Sequence, residues 1–250
     1  MSQPLSQSNA VAEKNPTASH SPSKLNLGAK IAAGFLLGVI AAVAVLFIPA
    51  GTLKFWQAWA YIAVFFLPIL TTYLFFLKHD PQMLARRLKS EEQVVEQKLL
   101  MRSARLLSIA LFMLPGFDFR FGWSRGLLGT QPMWLTWFSL SMAMAGILAA
   151  LWVMNMNRFA GATIGVEAGQ RVISTGPYSI VRHPMYAAGM VLWLFTPLAM
   201  ASPISLPAFA LVIPFCVLRI ISEEKVLCEQ LPGYSDYCLR TRYRLIPFVW

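Results

Sequence analysis

The chain has 250 residues, of which 57% are hydrophobic and only 13% are charged. A soluble domain carries roughly 25% charged residues, so this composition excludes a disordered chain and argues against a water-soluble globule. The net charge is +10, from 21 Lys and Arg against 11 Asp and Glu. In so apolar a chain, membrane topology explains a basic excess more directly than nucleic-acid binding does, and no nucleic-acid partner is expected.

The N-terminal residues 1–27 are polar and rich in Ser, Gln, Asn and Pro. They hold too few apolar side chains to build a core, which predicts a disordered tail. The apolar stretch that follows begins too late and is too long for a secretory signal peptide. We therefore expect three regions: this tail, an N-terminal membrane region over 28–132, and a functional core over 133–250.

Six apolar segments follow the tail, and a membrane-crossing helix needs about 20 such residues. The third segment has only 14, short enough for a re-entrant or interfacial piece. Residues 78–103, which are charged, predict an amphipathic helix at the membrane surface. The composition thus predicts an all-α integral membrane protein with about six transmembrane helices, the last two forming a tight hairpin at Ser202-Pro203 before a polar tail from Ser222. The six segments are 31–50, 57–77, 104–117, 133–154, 185–201 and 204–221.

Positively charged residues fall on one side of these predicted spans. With six spans and a cytoplasmic N-terminus, and with Arg105 and Arg219 counted at inner helix ends, only Lys54, Arg120 and Arg125 lie outside. Cytoplasmic loops of membrane proteins carry such an excess of Lys and Arg. The pattern predicts cytoplasmic termini in a multi-pass protein. It also favours a crossing third segment, since five spans would divide the positive charge between the two faces.

The segment Ser174-Thr-Gly-Pro-Tyr-Ser-Ile-Val-Arg-His-Pro-Met-Tyr186 holds most of the chemically informative residues. Gly176-Pro177 indicates a turn. Pro184 suits the first turn of a helix and pushes His183 out of helical geometry. Arg182 and His183 are therefore expected at the N-terminal mouth of the fifth span, where free backbone N–H groups favour an anion.

The hairpin should return the chain to that mouth. About 20 residues separate Pro184 from Pro203, and about 20 more lead to Glu223. At 1.5 Å per residue each leg is about 30 Å long. Counting alone therefore places the pair Glu223-Glu224 beside Arg182-His183, which makes a candidate polar site at the membrane boundary.

Each of these residues also has an ordinary structural interpretation. Arg182 alone would anchor a helix on the cytoplasmic side, and a Glu pair at a helix end is usually solvated. In the tail, Tyr234, Tyr237, Arg240 and Arg244 can share one face of a short helix, either on an anionic leaflet or over the site. The convergence of several polar groups at one depth favours the functional interpretation.

Metal binding is not expected at this site. His183 has no second histidine near it in sequence, and neither HxxE nor HExxH spacing occurs. The three cysteines form no CxxC pair and are expected to be reduced. Gly-rich phosphate-binding motifs are also absent from the sequence.

The same residues resemble a known family. Gly176-Pro-Tyr-x3-Arg-His-Pro-x-Tyr186, then an apolar hairpin, Glu223-Glu224 and the tail Pro232-Gly-Tyr-x2-Tyr-x5-Tyr-Arg-x2-Pro247 are similar to the isoprenylcysteine carboxyl methyltransferase family and its bacterial relatives. Membrane phospholipid N-methyltransferases share much of this pattern. The resemblance covers about residues 155–250, whereas the long region 78–132 departs from the simplest members.

The resemblance implies an integral-membrane methyltransferase that uses S-adenosylmethionine and takes a lipophilic or small acceptor from the bilayer: a prenylcysteine-like carboxylate, a lipid amine or a thiol. It implies a site on the cytosolic face, in a bacterial inner membrane. Arg182 and Glu224 are the expected catalytic residues. Those carried over to the cofactor pocket are Tyr178, Arg182, His183, Pro184, Tyr186, Glu223 and Glu224.

Two other classes remain open at this stage. Membrane reductases of the steroid 5α-reductase type, which bind NADPH, end in a similar hairpin, although they have Asn where this chain has Met185. A non-catalytic membrane scaffold or transporter subunit is the other alternative, but paired broken helices are not evident.

Overall fold

The computed structural model describes residues 24–81, 84, 95–157 and 170–250, and every regular element in these ranges is helical. Short 3₁₀ turns lie at Gly176–Ser179 and Pro203–Ser205. Of the expected tail, residues 1–23 lie outside the described residues. The helices are α1 (Lys24–Ala50), α2 (Trp56–His79), α3 (Val95–Phe121), α4 (Trp123–Leu128), α5 (Met133–Met156), α6 (Pro184–Ala199), α7 (Leu206–Phe209), α8 (Val212–Gln230) and α9 (Tyr234–Arg240).

Four helical stretches of the described chain are long and apolar enough to cross a membrane: Leu27–Ala50, Trp56–His79, Met133–Met156 and Pro203–Gln230. The α6 helix is apolar but has only 16 residues. The α3 helix has 27 residues, with charged groups in its first turns. The all-helical membrane character predicted from composition is therefore confirmed, and the count of six spans stays a prediction.

Large apolar side chains cover much of the outer surface of this helix bundle. Leu37 and Ile48 on α1 are 68% and 73% exposed, and Trp134 on α5 is 68% exposed. Monomeric soluble proteins rarely expose contiguous apolar patches of more than a few hundred Å². The exposed surface thus fits contact with lipid chains, and Trp residues near helix ends fit the membrane interface.

The third apolar segment is longer than its hydropathy predicted. The α3 helix runs from Val95 to Phe121, so part of the expected surface helix 78–103 belongs to it, while residues 82–83 and 85–94 lie outside the described residues. Charged side chains near its start shorten the apolar run but do not interrupt the helix, because Arg, Lys and Gln are good helix formers.

The last two apolar segments also differ from the expected simple hairpin. The α6 helix ends at Ala199, and the returning chain begins with a 3₁₀ turn and the single turn α7. The α8 helix then continues to Gln230, so the polar tail predicted from Ser222 is helical. Glu, Lys, Leu and Gln after Ser222 all favour a helix, which stops where Pro232-Gly233 follows.

The α5 and α6 helices pack closely along most of their length, and this contact supports the mouth of α6. Gly146 of α5 permits the approach, because a Cβ there would lie 2.9 Å from both the Ala188 carbonyl oxygen and the Leu192 amide nitrogen of α6. Real Cβ atoms essentially never come so close to backbone. The main core continues across α1, α2, α5 and α6, where the Tyr61 hydroxyl bonds to the Thr196 hydroxyl at 2.7 Å.

Gly146→Val is therefore expected to separate α5 from α6. Overpacking a close helix contact costs about 1–3 kcal/mol or more, and the displacement would reach the start of α6. We expect a lower unfolding midpoint in detergent and a lower yield of monodisperse protein. Gly189→Ala on α6 is the matched control, because nothing lies within 4 Å of a Cβ at that position. Equal stability of the two variants would contradict the close approach at Gly146.

Candidate functional site

A short 3₁₀ turn lies just before the N-terminus of α6. Gly176 has a φ of +60°, which glycine adopts without strain, and begins the 3₁₀ turn Gly176–Ser179. His183 is extended at φ −122° and ψ 62°, and Pro184 is the first helical residue. The turn and the helix start predicted from Gly176-Pro177 and His183-Pro184 are confirmed.

The C-terminal segment is bound to this mouth through its backbone. The Arg182 amide donates to the Tyr243 carbonyl and the His183 amide to the Arg244 carbonyl, each at 2.9 Å. The Trp250 carbonyl oxygen accepts from the amides of residues 244, 245 and 246 at 2.9–3.2 Å. These bonds fix the segment after α9 directly over the start of α6.

Glu224 is the centre of a buried cluster of charged groups. Its Oε1 lies 2.8 Å from Arg182 Nε and 3.2 Å from His183 Nε2, and its Oε2 lies 2.7 Å from Arg244 Nε. The Glu224 side chain is 10% exposed and that of Arg182 is 9% exposed. The cluster therefore joins α6, α8 and the C-terminal segment, and it sets two guanidinium groups and one imidazole against a single carboxylate.

The guanidinium of Arg182 is held by Glu224 through imperfectly aligned contacts, with Nε 2.8 Å from Oε1 and Nη2 3.5 Å from Oε2. Its Nε is buried, and this N–H is not aimed at any acceptor among the described residues, although Glu224 Oε1 lies close enough for an ionic contact. A buried donor without an acceptor is costly and uncommon in a native protein. The arrangement fits a site for an additional acceptor, such as the carboxylate of a ligand.

A second polar group lies beside the first cluster. The Tyr186 hydroxyl donates to Glu223 Oε2 at 2.8 Å and accepts from Arg219 Nε at 3.0 Å. Arg219 and Glu223 are four residues apart on α8, so they share one face of the helix. The two consecutive glutamates thus have different partners, which sequence alone could not distinguish.

Tyrosines connect the turn to α9. The Tyr237 hydroxyl donates to the Tyr178 carbonyl at 2.7 Å, and Asn157 Nδ2 donates to the Tyr178 hydroxyl at 3.0 Å. Tyr234, Tyr237 and Leu231 form a small core with Tyr178 packed against it. Burial raises the pKa of the Tyr234 and Tyr237 phenols well above the usual range, so both stay neutral at physiological pH.

The structure brings the sequence-predicted residues together, although their roles as a cofactor site remain predictions. Arg182, His183 and Glu224 meet in one cluster, Tyr186 contacts Glu223, and Pro184 begins α6. Tyr178 lies apart from the charged groups, against α9.

Sequence reasoning missed Arg244 and Arg219 as members of the site. Arg244 was expected on the short tail helix, but α9 ends at Arg240 and Arg244 reaches Glu224 from the extended segment beyond it. The Tyr243-Arg244 pair in the tail motif could have indicated it. Arg219 was placed with the inner helix ends, and only its spacing of four from Glu223 indicated a shared face.

No group of three or more His, Cys, Asp or Glu residues in the described ranges is arranged to hold a metal ion. Around Glu224 the neighbours are cations rather than further carboxylates.

Comparison with known proteins agrees with the motif. Residues 134–232 match the family model described as phospholipid methyltransferase. The matched region begins in α5, contains the mouth of α6 and the two glutamates, and ends just before α9.

Three curated relatives align with parts of the chain. Nickel-cobalt-cadmium resistance protein NccN of Alcaligenes xylosoxydans xylosoxydans is 31% identical over 110 residues, 42% of this chain and 50% of the relative. Protein-S-isoprenylcysteine O-methyltransferase B of Arabidopsis thaliana is 32% identical over 125 residues, which are 48% of this chain and 62% of the relative. Delta(14)-sterol reductase TM7SF2 of Mus musculus is 32% identical over 92 residues, which are 35% of this chain and 22% of the relative.

The chain thus spans about half to three fifths of the length of the first two relatives and a smaller part of the third. The family match covers the region in which the Arg-His-Pro and Glu-Glu motifs lie. Together with the apolar helices, the family match and the methyltransferase relative confirm the resemblance drawn from the sequence: part of the chain is similar to membrane methyltransferases of the phospholipid and isoprenylcysteine type.

Proposed function

We propose that the chain is an integral-membrane methyltransferase that uses S-adenosylmethionine and acts on a lipophilic or small acceptor. The observation that carries the proposal is the cluster of Arg182, His183, Arg244 and Glu224 inside or beside the family-matched region. The acceptor would be a prenylcysteine-like carboxylate, a lipid amine or a thiol.

The described residues fit the polar groups of this cofactor. The guanidinium of Arg182 suits its carboxylate, since charge-assisted hydrogen bonds to guanidinium are strong. Glu224 suits its ammonium or ribose hydroxyls. Tyr186 and the tyrosines of the tail offer aromatic faces, which suit adenine and a cation. Tyr178, Pro184, His183 and Glu223 would complete the pocket.

The leaving group of this reaction needs no acid catalysis from the protein. The cofactor would supply a methyl group on a positively charged sulfonium, which is already activated because it leaves as a neutral thioether. The residues of the site therefore act by holding the reactants in line and by excluding water. The rigid link between the C-terminal segment and α6 suits this task, because three elements fix the charged cluster.

The proposed orientation places the site on the cytosolic face of a bacterial inner membrane. The asymmetry of Lys and Arg supports cytoplasmic termini. The apolar surface of the bundle supports the lipid bilayer as its surroundings. An acceptor with an apolar chain would then reach the site from the membrane.

A reductase that uses NADPH is the second candidate function. The partial match to a protein named delta(14)-sterol reductase favours it, over 35% of this chain. The same cluster of Arg182 and Arg244 could bind a phosphate. The sequence contains no Gly-rich phosphate-binding motif that would support NADPH binding.

Calorimetric titration of the detergent-purified chain separates the two candidates. We expect S-adenosylmethionine and its demethylated product to bind with micromolar dissociation constants, and NADPH to give no saturable heat. Binding of NADPH without binding of S-adenosylmethionine, by protein that is monodisperse and helical by circular dichroism, would replace the methyltransferase proposal with the reductase.

A further inference from the structure

The two consecutive glutamates differ in how fully their oxygens are occupied. Both Glu224 oxygens lie against cationic groups. Glu223 accepts a hydrogen bond from the neutral Tyr186 hydroxyl on Oε2 rather than from a guanidinium. A carboxylate held by several cations is a weak base, so Glu223 is the better placed of the two to accept a proton.

Tyr186 and Arg219 hold Glu223 in one orientation. The Tyr186 hydroxyl accepts a hydrogen bond from Arg219 Nε and donates one to Glu223 Oε2. Because Arg219 can only donate, the Tyr186 proton must point toward Glu223. These three residues form a relay that runs from α8 to α6 and back to α8. Ionisable groups in a membrane segment are expensive and usually mark functional sites.

The relay extends from the charged cluster toward the membrane interior. Arg219 precedes Glu224 by five residues on α8, which corresponds to about 7.5 Å along the helix. The α6 and α8 helices make few contacts with each other, and the exposed Leu218 and Ile221 lie on the face of α8 turned away from Glu223. Glu223 itself is half-buried, so part of its side chain is accessible to a ligand.

We infer that Glu223 contacts the methyl acceptor and removes its proton, with Tyr186 and Arg219 as positioning residues. The inference rests on the proposed methyltransferase function. It assigns the acceptor to nucleophiles that carry a proton, amines or thiols, rather than to carboxylates. A carboxylate acceptor has no proton to lose and would be repelled by Glu223.

The step balances in atoms and charge. The neutral nitrogen or sulfur of the acceptor gains the methyl group as the methyl–sulfonium bond breaks, and the sulfonium leaves as a neutral thioether. The proton of the acceptor passes to the Glu223 carboxylate, which becomes a neutral acid and later releases the proton to water. The positive charge of the sulfonium and the negative charge of Glu223 are both removed.

Binding of matched probes tests the inference without cofactor. Dodecylamine, dodecanethiol and dodecanoate have the same chain length and differ in the head group. In a neutral detergent, we expect dodecylamine or dodecanethiol to raise the unfolding temperature of the wild-type chain and dodecanoate not to. Glu223→Gln should lose this shift, whereas Glu229→Gln, an exposed carboxylate on the same helix, should keep it. A larger shift with dodecanoate, no shift with any probe, or an unchanged shift in Glu223→Gln would overturn the inference.

Kinetics and cofactor binding separate this inference from the proposed function. With the amine or thiol that binds, Glu223→Gln should lower kcat by about 100-fold or more, the usual contribution of a general base. Its affinity for S-adenosylmethionine should fall much less than its kcat, because Gln keeps the size of the side chain at the edge of the cofactor pocket. Arg219→Leu should lower kcat with unchanged cofactor affinity, and Arg219→Lys should restore part of it. Failure of the wild type to bind S-adenosylmethionine would remove the proposed function itself, whereas normal cofactor binding with full kcat in Glu223→Gln would remove only the role of Glu223.

Discussion

Glu224→Gln is expected to lower the free energy of unfolding by about 3–5 kcal/mol, the usual cost of removing one partner from a buried ion pair. The substitution leaves Arg182, His183 and Arg244 close together without their shared carboxylate. The C-terminal segment should then loosen from α6, and calorimetry should show loss of S-adenosylmethionine binding. Denaturant unfolding in detergent measures the stability change.

Two variants make this prediction specific. Glu229→Gln removes an exposed carboxylate from the same helix and should stay within about 0.5 kcal/mol of the wild type. Glu224→Gln combined with Arg244→Gln removes one excess cation and should recover part of the stability, because the two residues are directly coupled. Wild-type stability in Glu224→Gln would show that the cluster does not hold the segment.

Arg182→Ala is expected to weaken S-adenosylmethionine binding by about 10–100-fold, since a hydrogen bond to a charged group contributes about 1.5–3 kcal/mol. The guanidinium is buried and has an N–H available for a further acceptor. Methyl transfer should fall at least as much, because a misplaced reactant costs rate as well as affinity. Calorimetry and initial rates measure the two effects.

The charge and the shape of Arg182 can be separated. Arg182→Lys keeps the charge and loses the planar set of donors, so it should recover only part of the affinity. Arg171→Ala removes an exposed arginine before the same turn and should bind normally. Full activity in Arg182→Ala would exclude the assigned role in the cofactor pocket.

Much of the membrane architecture could be predicted from the sequence, because long apolar runs have few alternatives to a helix in lipid. The boundaries were less predictable where charge and helix propensity disagree. Apolar length placed the start of the third segment at 104 and the end of the last one at 221, whereas the helices begin at Val95 and end at Gln230. Hydropathy indicates whether a residue lies in lipid or in water, whereas helix propensity indicates whether its backbone is helical. A helix can therefore extend beyond the apolar segment.

Counting residues was enough to bring Glu223-Glu224 back to Arg182-His183, because two legs of about 20 residues return the chain to its starting depth. Which of these groups pair depends on the packing of the folded chain. It brought Arg244 to Glu224 from beyond α9, and it directed Glu223 to Tyr186 and Arg219 instead. Adjacent residues on a helix point about 100° apart. Which partner each meets therefore depends on how helices and the C-terminal segment pack, and no local pattern of the sequence encodes that packing.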